Sequence, residues 1–128
     1  YRTMKNTYSI FAIAVALLFL AGCATRYIDP RVSFIDQNLS HDIDVIQVSS
    51  RVNQGGLMEM QFTGFNNKSF DKNIEYRIEW LDQSGFAIKT ITTKWTRYFV
   101  NKKSEFRISQ VGPNKKASDF RVQFRYAR

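Results

Sequence analysis

The sequence is poor in the residues that cross-link small folds or bind metal ions. Its 128 residues include one cysteine, one histidine and two prolines. A single cysteine excludes a disulfide scaffold, and one cysteine with one histidine cannot complete a structural zinc site of four such ligands. By contrast, 44% of the residues are hydrophobic and 15% are aromatic. The chain can therefore bury the core of one domain and is not a disordered basic tail.

The long hydrophobic run of the sequence lies near its amino terminus. All twelve residues from Ile10 to Ala21 are apolar. A helix of that length spans roughly 18 Å, well short of a hydrocarbon core about 30 Å thick. Lys5 precedes the run and small residues follow it, an arrangement typical of a secretory signal peptide. We predict a signal peptide over residues 1–22, with Met4 as the initiator.

The end of this run resembles the lipobox of bacterial lipoproteins, in which Leu, a small residue and Gly precede an invariant Cys. Here Leu20, Ala21 and Gly22 precede Cys23, the only cysteine of the chain. The resemblance implies cleavage after Gly22 and a covalent lipid on the Cys23 thiol; the alternative is a small buried cysteine inside an uncleaved anchor. Because Ala24 replaces the Asp that commonly retains lipoproteins at the inner membrane, the resemblance favours the outer membrane, with the domain facing the periplasm.

The remainder of the chain is predicted to be a short lipidated tether over residues 23–33 and one β domain over residues 34–128. Along several segments apolar and polar residues alternate, as they do in half-buried strands. The alternating apolar residues are Ile46, Val48 and Val52; Met58, Met60 and Phe62; Ile74, Tyr76, Ile78 and Trp80; Phe106 and Ile108; Phe120, Val122, Phe124 and Tyr126.

Connections between these strands are also predicted. Asp82 and Gly85 fit the first and fourth positions of a type I turn. Residues 86–95 predict a strand whose phase shifts near Thr90, residues 98–104 a loop, and residues 34–44 an irregular segment. No part of the domain has a convincing apolar pattern of helical period. The sequence therefore predicts an all-β, immunoglobulin-like antiparallel β-sandwich of about six to seven strands, with Trp80 anchoring its core.

Several segments in order resemble the YcfL family of small bacterial lipoproteins. The residues that carry the resemblance are Gly56-Leu57, Phe62, Asn66-Asn67, the run Tyr-Arg-Ile-Glu-Trp-Leu-Asp-Gln-Ser-Gly at 76–85, Trp95, Gly112-Pro113-Asn114 and Ala117 with Asp119 to Val122. The resemblance implies an outer-membrane lipoprotein with an immunoglobulin-like sandwich and no known enzymatic activity. Some members are encoded near lipoprotein activators of peptidoglycan synthases.

Residues able to carry catalysis or hold a metal ion are few. His41 is the single histidine and is predicted to be a solvated loop residue. Asp42 and Asp44 are spaced so that both carboxylates can reach one calcium ion, but no third ligand follows at EF-hand spacing, and a charged loop is favoured. Met58 and Met60 are predicted to lie in the core rather than to bind copper. We predict a protein that is not an enzyme and that holds no metal and no cofactor other than the lipid on Cys23.

Two glutamates in the middle of the chain are spaced for ion pairing rather than for catalysis. Glu75 and Glu79 flank Arg77 on the predicted exposed face of one strand. This arrangement suits cross-strand ion pairing better than acid and base catalysis.

The positive charge is unevenly distributed. The formal net charge is +8, but residues 23–85 carry 6 basic and 9 acidic residues, whereas residues 86–128 carry 11 basic and 2 acidic residues. If the last two strands form a hairpin, their outward side chains and the neighbouring loops form one basic face. Its predicted members are Arg107, Arg121, Arg125, Lys102, Lys103, Lys115 and Lys116. The alternative is a solvated surface, partly neutralised by Glu75 and Glu79.

An exported protein has anionic partners other than nucleic acid. The candidates for this basic face are phospholipid head groups, carboxylates of peptidoglycan stems, lipopolysaccharide phosphates and acidic proteins. The leading hypothesis is a non-catalytic outer-membrane lipoprotein that acts as a binding or structural module in a periplasmic cell-envelope assembly. The alternative is an accessory regulator of a peptidoglycan-synthesis enzyme. A small hydrolase or metal binder ranks last and requires His41 to lie in a deep pocket beside Asp42 or Asp44.

Overall fold

The structure is a computed structural model that describes residues 28–90 and 94–128. The predicted signal peptide, the cleavage site at Gly22, the lipidation site Cys23 and most of the tether lie outside the described residues. The elements are β1 (Val32–Phe34), α1 (Gln37–Asp42), β2 (Ile43–Val52), β3 (Met58–Asn66), β4 (Lys72–Leu81), β5 (Ala87–Ile88), β6 (Thr96–Val100), β7 (Glu105–Val111) and β8 (Asp119–Tyr126). No helix in this part of the chain has the length and hydrophobicity that crossing a bilayer requires.

The described residues form eight strands in two sheets, which confirms the predicted all-β sandwich. One sheet has five strands in the order β1-β8-β4-β5, with β6 pairing with the same strand β4. The other has three strands in the order β2-β3-β7. All pairs are antiparallel except β1 with β8, which are parallel. Strand β4 is therefore bonded along both edges, to β8 on one side and to β5 and β6 on the other.

The core lies between the sheets and follows the period of two along the strands. Even-numbered residues of β3, β4 and β8 point inward, so the predicted alternation of these strands is confirmed. Trp80 is fully buried and packs against Phe120 with 6.0 Å between ring centroids. Phe62 meets Phe124 at 4.7 Å, which joins the two sheets. The prediction of Trp80 as a core residue is correct.

Strand β2 departs from the predicted alternation. Its register with β3 shifts between Val45 and Gln47, as a β-bulge requires. Consequently Ile46 is 49% exposed, while Ile43 and Val48 are buried. Val52, at the end of the strand, is 66% exposed. The prediction is therefore wrong for Ile46, the extra residue at the bulge. Val48 lies opposite Phe62 and Val52 opposite Met58, so these two valines share one side of the sheet as predicted.

The segment before β2 is more ordered than its sequence predicts. Strand β1 begins two residues before the predicted domain boundary at residue 34 and pairs with Val122 to Phe124 of β8. Asp29, in the predicted tether, is only 3% exposed and accepts hydrogen bonds from the Arg31 backbone and guanidinium. Helix α1 has six residues, of which Leu39 is buried. Such a short helix spans less than two turns and cannot show an apolar period.

The edge of the five-stranded sheet also differs from the prediction. The turn at Asp82 forms as predicted. The Asp82 carbonyl oxygen accepts a hydrogen bond from the Gly85 N–H at 3.0 Å, and Gly85 has a φ of 84°. Of the predicted strand 86–95, the described residues include the two residues of β5, and residues 91–93 lie outside the described part of the chain. Strand β6 begins at Thr96, so residues 98–100 of the predicted loop belong to a strand. The turn that follows spans residues 101–104.

Gly64 marks the point at which the β3 backbone is covered by aromatic rings. A Cβ at this position would lie 2.7 Å from Phe106 Cζ and 2.8 Å from Phe62 Cε1. Both rings are packed in the core, so they cannot move aside without leaving a void elsewhere. Only a residue without a side chain fits between them.

We expect Gly64→Ala to lower the free energy of unfolding by about 2 kcal/mol, the usual cost of overpacking a core. Gly55→Ala is the matched control, because its Cβ would meet Asn53 Oδ1 at an ordinary 3.4 Å. Urea unfolding of both variants measures the difference. Equal stabilities of the two variants would show that the rings over Gly64 yield easily.

Candidate functional site

The predicted basic face is not a single face, because β7 and β8 do not pair. Strand β7 pairs with β3 in the three-stranded sheet, and β8 pairs with β4 and β1 in the other sheet. The chain crosses between the sheets after Val111: the Gly112 N–H bonds to Met58 O, and the Ser118 N–H bonds to Leu81 O. Arg107 therefore lies on the outer face of the three-stranded sheet, on the opposite side of the sandwich from Arg121 and Arg125.

The predicted lysines lie at opposite ends of the sandwich. Lys102 and Lys103 lie in the β6–β7 turn, where Lys103 Nζ donates to Asn67 O at 2.7 Å. Lys115 and Lys116 lie in the crossing between β7 and β8, and the Lys115 side chain runs beside Gly56. The prediction placed these lysines on one surface, but the length of strand β7 lies between the two pairs.

The outer face of the five-stranded sheet nevertheless gathers arginines that the prediction did not group. The register places Glu75 between Arg97 of β6 and Arg125 of β8, Arg77 opposite Gln123, and Glu79 opposite Arg121. We call this surface the arginine face. Its members are Arg77, Arg97, Arg121, Arg125, Glu75, Glu79, Gln123 and Trp95, whose ring lies against the guanidinium groups of Arg77 and Arg125.

Trp95 holds two of these arginines in place. The guanidinium carbon of Arg125 lies 3.9 Å from the Trp95 ring centroid, and that of Arg77 lies 4.7 Å from it. Both distances are within the range of cation–π attraction. Arg77 also donates to Gln123 Oε1, at 2.9 Å from Nε. The two guanidinium groups are thus positioned before any partner arrives.

Glu75 is buried rather than exposed, which corrects the prediction of its environment. It is 7% exposed, and its Oε1 accepts from Arg125 Nε at 3.2 Å and from the Arg128 N–H at 3.1 Å. The Arg125 side chain, itself 19% exposed, covers it together with the neighbouring strands. The predicted cross-strand ion pairing is confirmed for Glu75.

The other arginines of the face are exposed. The Arg97 guanidinium donates to Arg128 O at 2.7 Å. The Arg121 guanidinium has no polar partner among the described residues. A planar guanidinium donates two parallel hydrogen bonds to a carboxylate or phosphate, so this face can bind anionic groups. The outward parity of Arg77 was evident from the sequence. Arg97 and Trp95 were missed because the boundary of β6 was predicted wrongly.

A second charged cluster, at the end of the sandwich where β4 begins, stabilises the fold. The Asp42 carboxylate accepts from Lys72 Nζ at 2.7 Å and from the Tyr126 hydroxyl at 2.8 Å. Lys72 is 7% exposed, and its ammonium lies 4.2 Å from the Phe70 ring centroid. These contacts tie α1 to both β4 and β8. Asp42 is therefore an ion-pair partner, contrary to its predicted place in a charged loop.

The pKa values of this cluster follow from its contacts. Burial raises the pKa of Asp42, but the hydrogen bonds from Lys72 and Tyr126 outweigh burial and hold it below its ordinary value. Burial and the bond to the Asp42 carboxylate raise the pKa of the Tyr126 hydroxyl to about 12. The cluster thus favours the ionised acid and the protonated phenol.

The other candidate residues named from the sequence lie in α1 and in the core. His41 is an exposed residue of α1, and its carbonyl accepts from Asn67 Nδ2. Met60 is buried in the core, with Met58 packed against it. Residues 28–90 and 94–128 contain no group of three or more His, Cys, Asp or Glu side chains able to hold a metal ion. An open depression of about 560 Å³ on the three-stranded sheet is lined by polar side chains that include Ser49, Gln61 and Ser109.

Comparison with known proteins identifies related folds. A family model described as "Protein of unknown function (DUF1425)" matches residues 31–126. The crystal structure of Campylobacter jejuni cj0090 is 22% identical, with a TM-score of 0.67, and the match covers 77% of this chain and 100% of that one. A DUF1425 family member from Shewanella sp. pv-4 is 20% identical, with a TM-score of 0.61, over 67% of this chain and 79% of that one. None of the curated proteins matches significantly. At these identities the solved structures support the fold alone.

The Asp42 cluster predicts how stability depends on pH. Because the pKa of Asp42 is lowered on folding, its contribution is present above about pH 4 and lost in more acidic solution. Because the pKa of Tyr126 is raised, its contribution is present below about pH 10 and lost as the pH rises towards 12. We expect Tyr126→Phe to lower stability at pH 7 by about 2 kcal/mol, because it removes a hydrogen bond to a charged group.

Urea unfolding between pH 3 and 12 tests this expectation, and Tyr126→Phe should also lose less stability than the wild type between about pH 10 and 12. Tyr98→Phe is the control, because that hydroxyl donates to a carbonyl, Arg107 O, instead of a carboxylate. If Tyr126→Phe and the wild type lose the same unfolding free energy between about pH 10 and 12, the role assigned to the Tyr126 hydroxyl is contradicted.

Proposed function

This chain belongs to the DUF1425 family of proteins of unknown function, and from its own residues we propose that it is a non-catalytic binding module of the bacterial cell envelope. In this proposal the arginine face docks an anionic partner in the periplasm. The sandwich serves as a rigid support, and no residue performs covalent chemistry.

The observation that carries the proposal is the pair of guanidinium groups positioned on Trp95. A purely solvated surface does not need its charges fixed by aromatic contacts, since mobile side chains are hydrated as well. Arg77 and Arg125 are held at 4.7 and 3.9 Å from one ring, and exposed Arg121 lies on the same face. Positioned guanidinium groups lose less conformational entropy when they bind an anion.

The cell compartment is proposed from the sequence upstream of the domain. The hydrophobic run and the lipobox-like end at Cys23, with the resemblance to YcfL, support an outer-membrane lipoprotein facing the periplasm. Because Asp29 is buried in the domain, the tether between it and Cys23 is residues 24–28. Five extended residues reach roughly 17 Å at most, so the module is held close to the membrane.

We expect Cys23→Ser to release the protein from the membrane fraction and to abolish incorporation of labelled acyl chains. Fractionation of intact cells and intact-mass measurement of the purified chain report the two effects. Cys23 is the only cysteine, so the substitution removes the sole thiol available for lipid attachment. Unchanged membrane retention and unchanged mass would rule out lipidation without bearing on the arginine face.

The docking role is tested by a photo-crosslinking amino acid placed at position 121 in intact cells, with position 107 as the matched control. Both natural residues are exposed arginines, but they lie on opposite outer faces. We expect position 121 to give one major adduct that is lost when Arg97→Glu is added, and position 107 to give none of it. Identical adducts at both positions, or none at 121, would contradict the proposal.

The identity of the adduct also separates the two roles expected from the sequence. A stoichiometric envelope component would support a structural module. A transient adduct with a peptidoglycan-synthesis enzyme would support an accessory regulator.

A further inference from the structure

We propose that the partner segment bound by the arginine face is an extended acidic peptide with carboxylates at alternate residues, lying along β4 and β8. This inference rests on the proposed docking function and names the chemistry of the partner. It depends on the spacing of the arginine positions along the strands, which the strand register determines.

Three arginines follow the strand direction in regular steps. Arg125 and Arg121 are four residues apart on β8, and Arg77 of β4 lies opposite Gln123, midway between them. At about 3.3 Å per residue, the backbone positions of these arginines advance by roughly 6.6 Å at each step along the strands. An extended peptide places the side chains of one face at the same interval, because they recur every second residue. The spacing of the arginines along the strands therefore matches the spacing of the side chains on one face of an extended peptide.

The contacts of these arginines leave donors for such a peptide. Arg77 donates to Gln123 Oε1 from one edge of its guanidinium group, and Arg125 donates to Glu75 Oε1 through Nε. Each guanidinium has five N–H donors, so donors remain for a carboxylate. Arg121 has all five available within the described part of the chain. A carboxylate on each arginine would make charge-assisted hydrogen bonds.

A regular polymer fits this surface better than a bilayer does. Lipid head groups diffuse in the plane of the membrane and need no fixed spacing, so mobile side chains are sufficient to bind them. Here Arg77 and Arg125 are fixed by Trp95, and Glu79 lies opposite Arg121. The Glu79 carboxylate would repel a continuous sheet of anions, whereas a peptide with acidic groups at alternate residues can avoid it. Phe99, 55% exposed on the outer face of the adjacent β6, offers an apolar contact at one side.

The test measures binding of synthetic peptides to the full chain purified in detergent. One twelve-residue peptide alternates Glu with Thr. A second, the block peptide, has the same composition with its glutamates in blocks of two separated by two threonines, so that each face carries a glutamate only at every fourth residue. A third replaces Glu by Gln in the alternating peptide. We expect the alternating peptide to bind about tenfold more tightly than the block peptide, because each well-placed charged hydrogen bond contributes about 1.5 kcal/mol. The Gln peptide should not bind measurably.

Matched variants assign the binding to the face. Arg121→Glu removes an exposed arginine without breaking an observed contact, so the fold should persist and affinity for the alternating peptide should fall at least about tenfold. Arg107→Glu makes the same charge change on the other sheet and should leave affinity unchanged. Thermal unfolding of both variants verifies that they remain folded.

Several outcomes would overturn the inference. Equal affinity for the alternating and block peptides would show that net charge alone decides binding. Binding of anionic phospholipid vesicles or tripolyphosphate, with no peptide binding and the same dependence on Arg121, would assign the face to phosphate groups. If no peptide binds while position 121 still crosslinks in cells, the inference fails and the docking function stands. Peptide binding without a crosslink in cells would support the chemistry and contradict the docking function.

Discussion

Strand β4 imposes the constraint on which both the core and the arginine face depend. It is bonded on both edges, so its side chains can point only to the two faces of the sheet. Ile74, Ile78 and Trp80 occupy the inner face and are fully buried against the other sheet. The odd-numbered residues of β4 must then point outward, which places Arg77 on the outer face. Packing on one side of β4 therefore fixes the charges on the other.

Polar side chains carry much of the organisation at one end of the sandwich. Asn66 is fully buried, and its amide nitrogen donates to the carbonyls of Phe70 and Asn101 while its oxygen accepts from the Lys68 N–H. A buried amide that bonds three backbone groups orders the loops that meet there. The neighbouring Asp42–Lys72 pair is also nearly enclosed, and removal of Asp42 would leave the buried Lys72 ammonium without its ion-pair partner. Lys72 and Tyr126 of this cluster have the inward parity of β4 and β8, whereas the arginine face has the outward parity.

The features that could be predicted from the sequence are those that depend on a single strand. The alternation around Trp80 and Phe124 needs only a period of two, and both residues are buried as expected. The position of Arg107 depends instead on which strands pair, and alternation within a strand carries no information about its neighbour. The bulge at Ile46 cannot be predicted from the sequence either, because a bulge changes the pairing with β3 and not the composition of β2. Trp95 precedes its strand and meets Arg77 and Arg125 only through the tertiary fold.

The parallel pairing of β1 with β8 determines how the module would stand on a bilayer. Because Val32 lies beside Val122 and the Val122 N–H bonds to Arg31 O, the chain enters the domain at the end that carries the β7–β8 crossing. An anchor at Cys23 would draw that end, with Lys115 and Lys116, towards the head groups, and the Lys102–Lys103 turn would point away. The strands would then stand upright on the membrane. The arginine face would look sideways into the periplasmic space, open to a partner approaching parallel to the membrane surface.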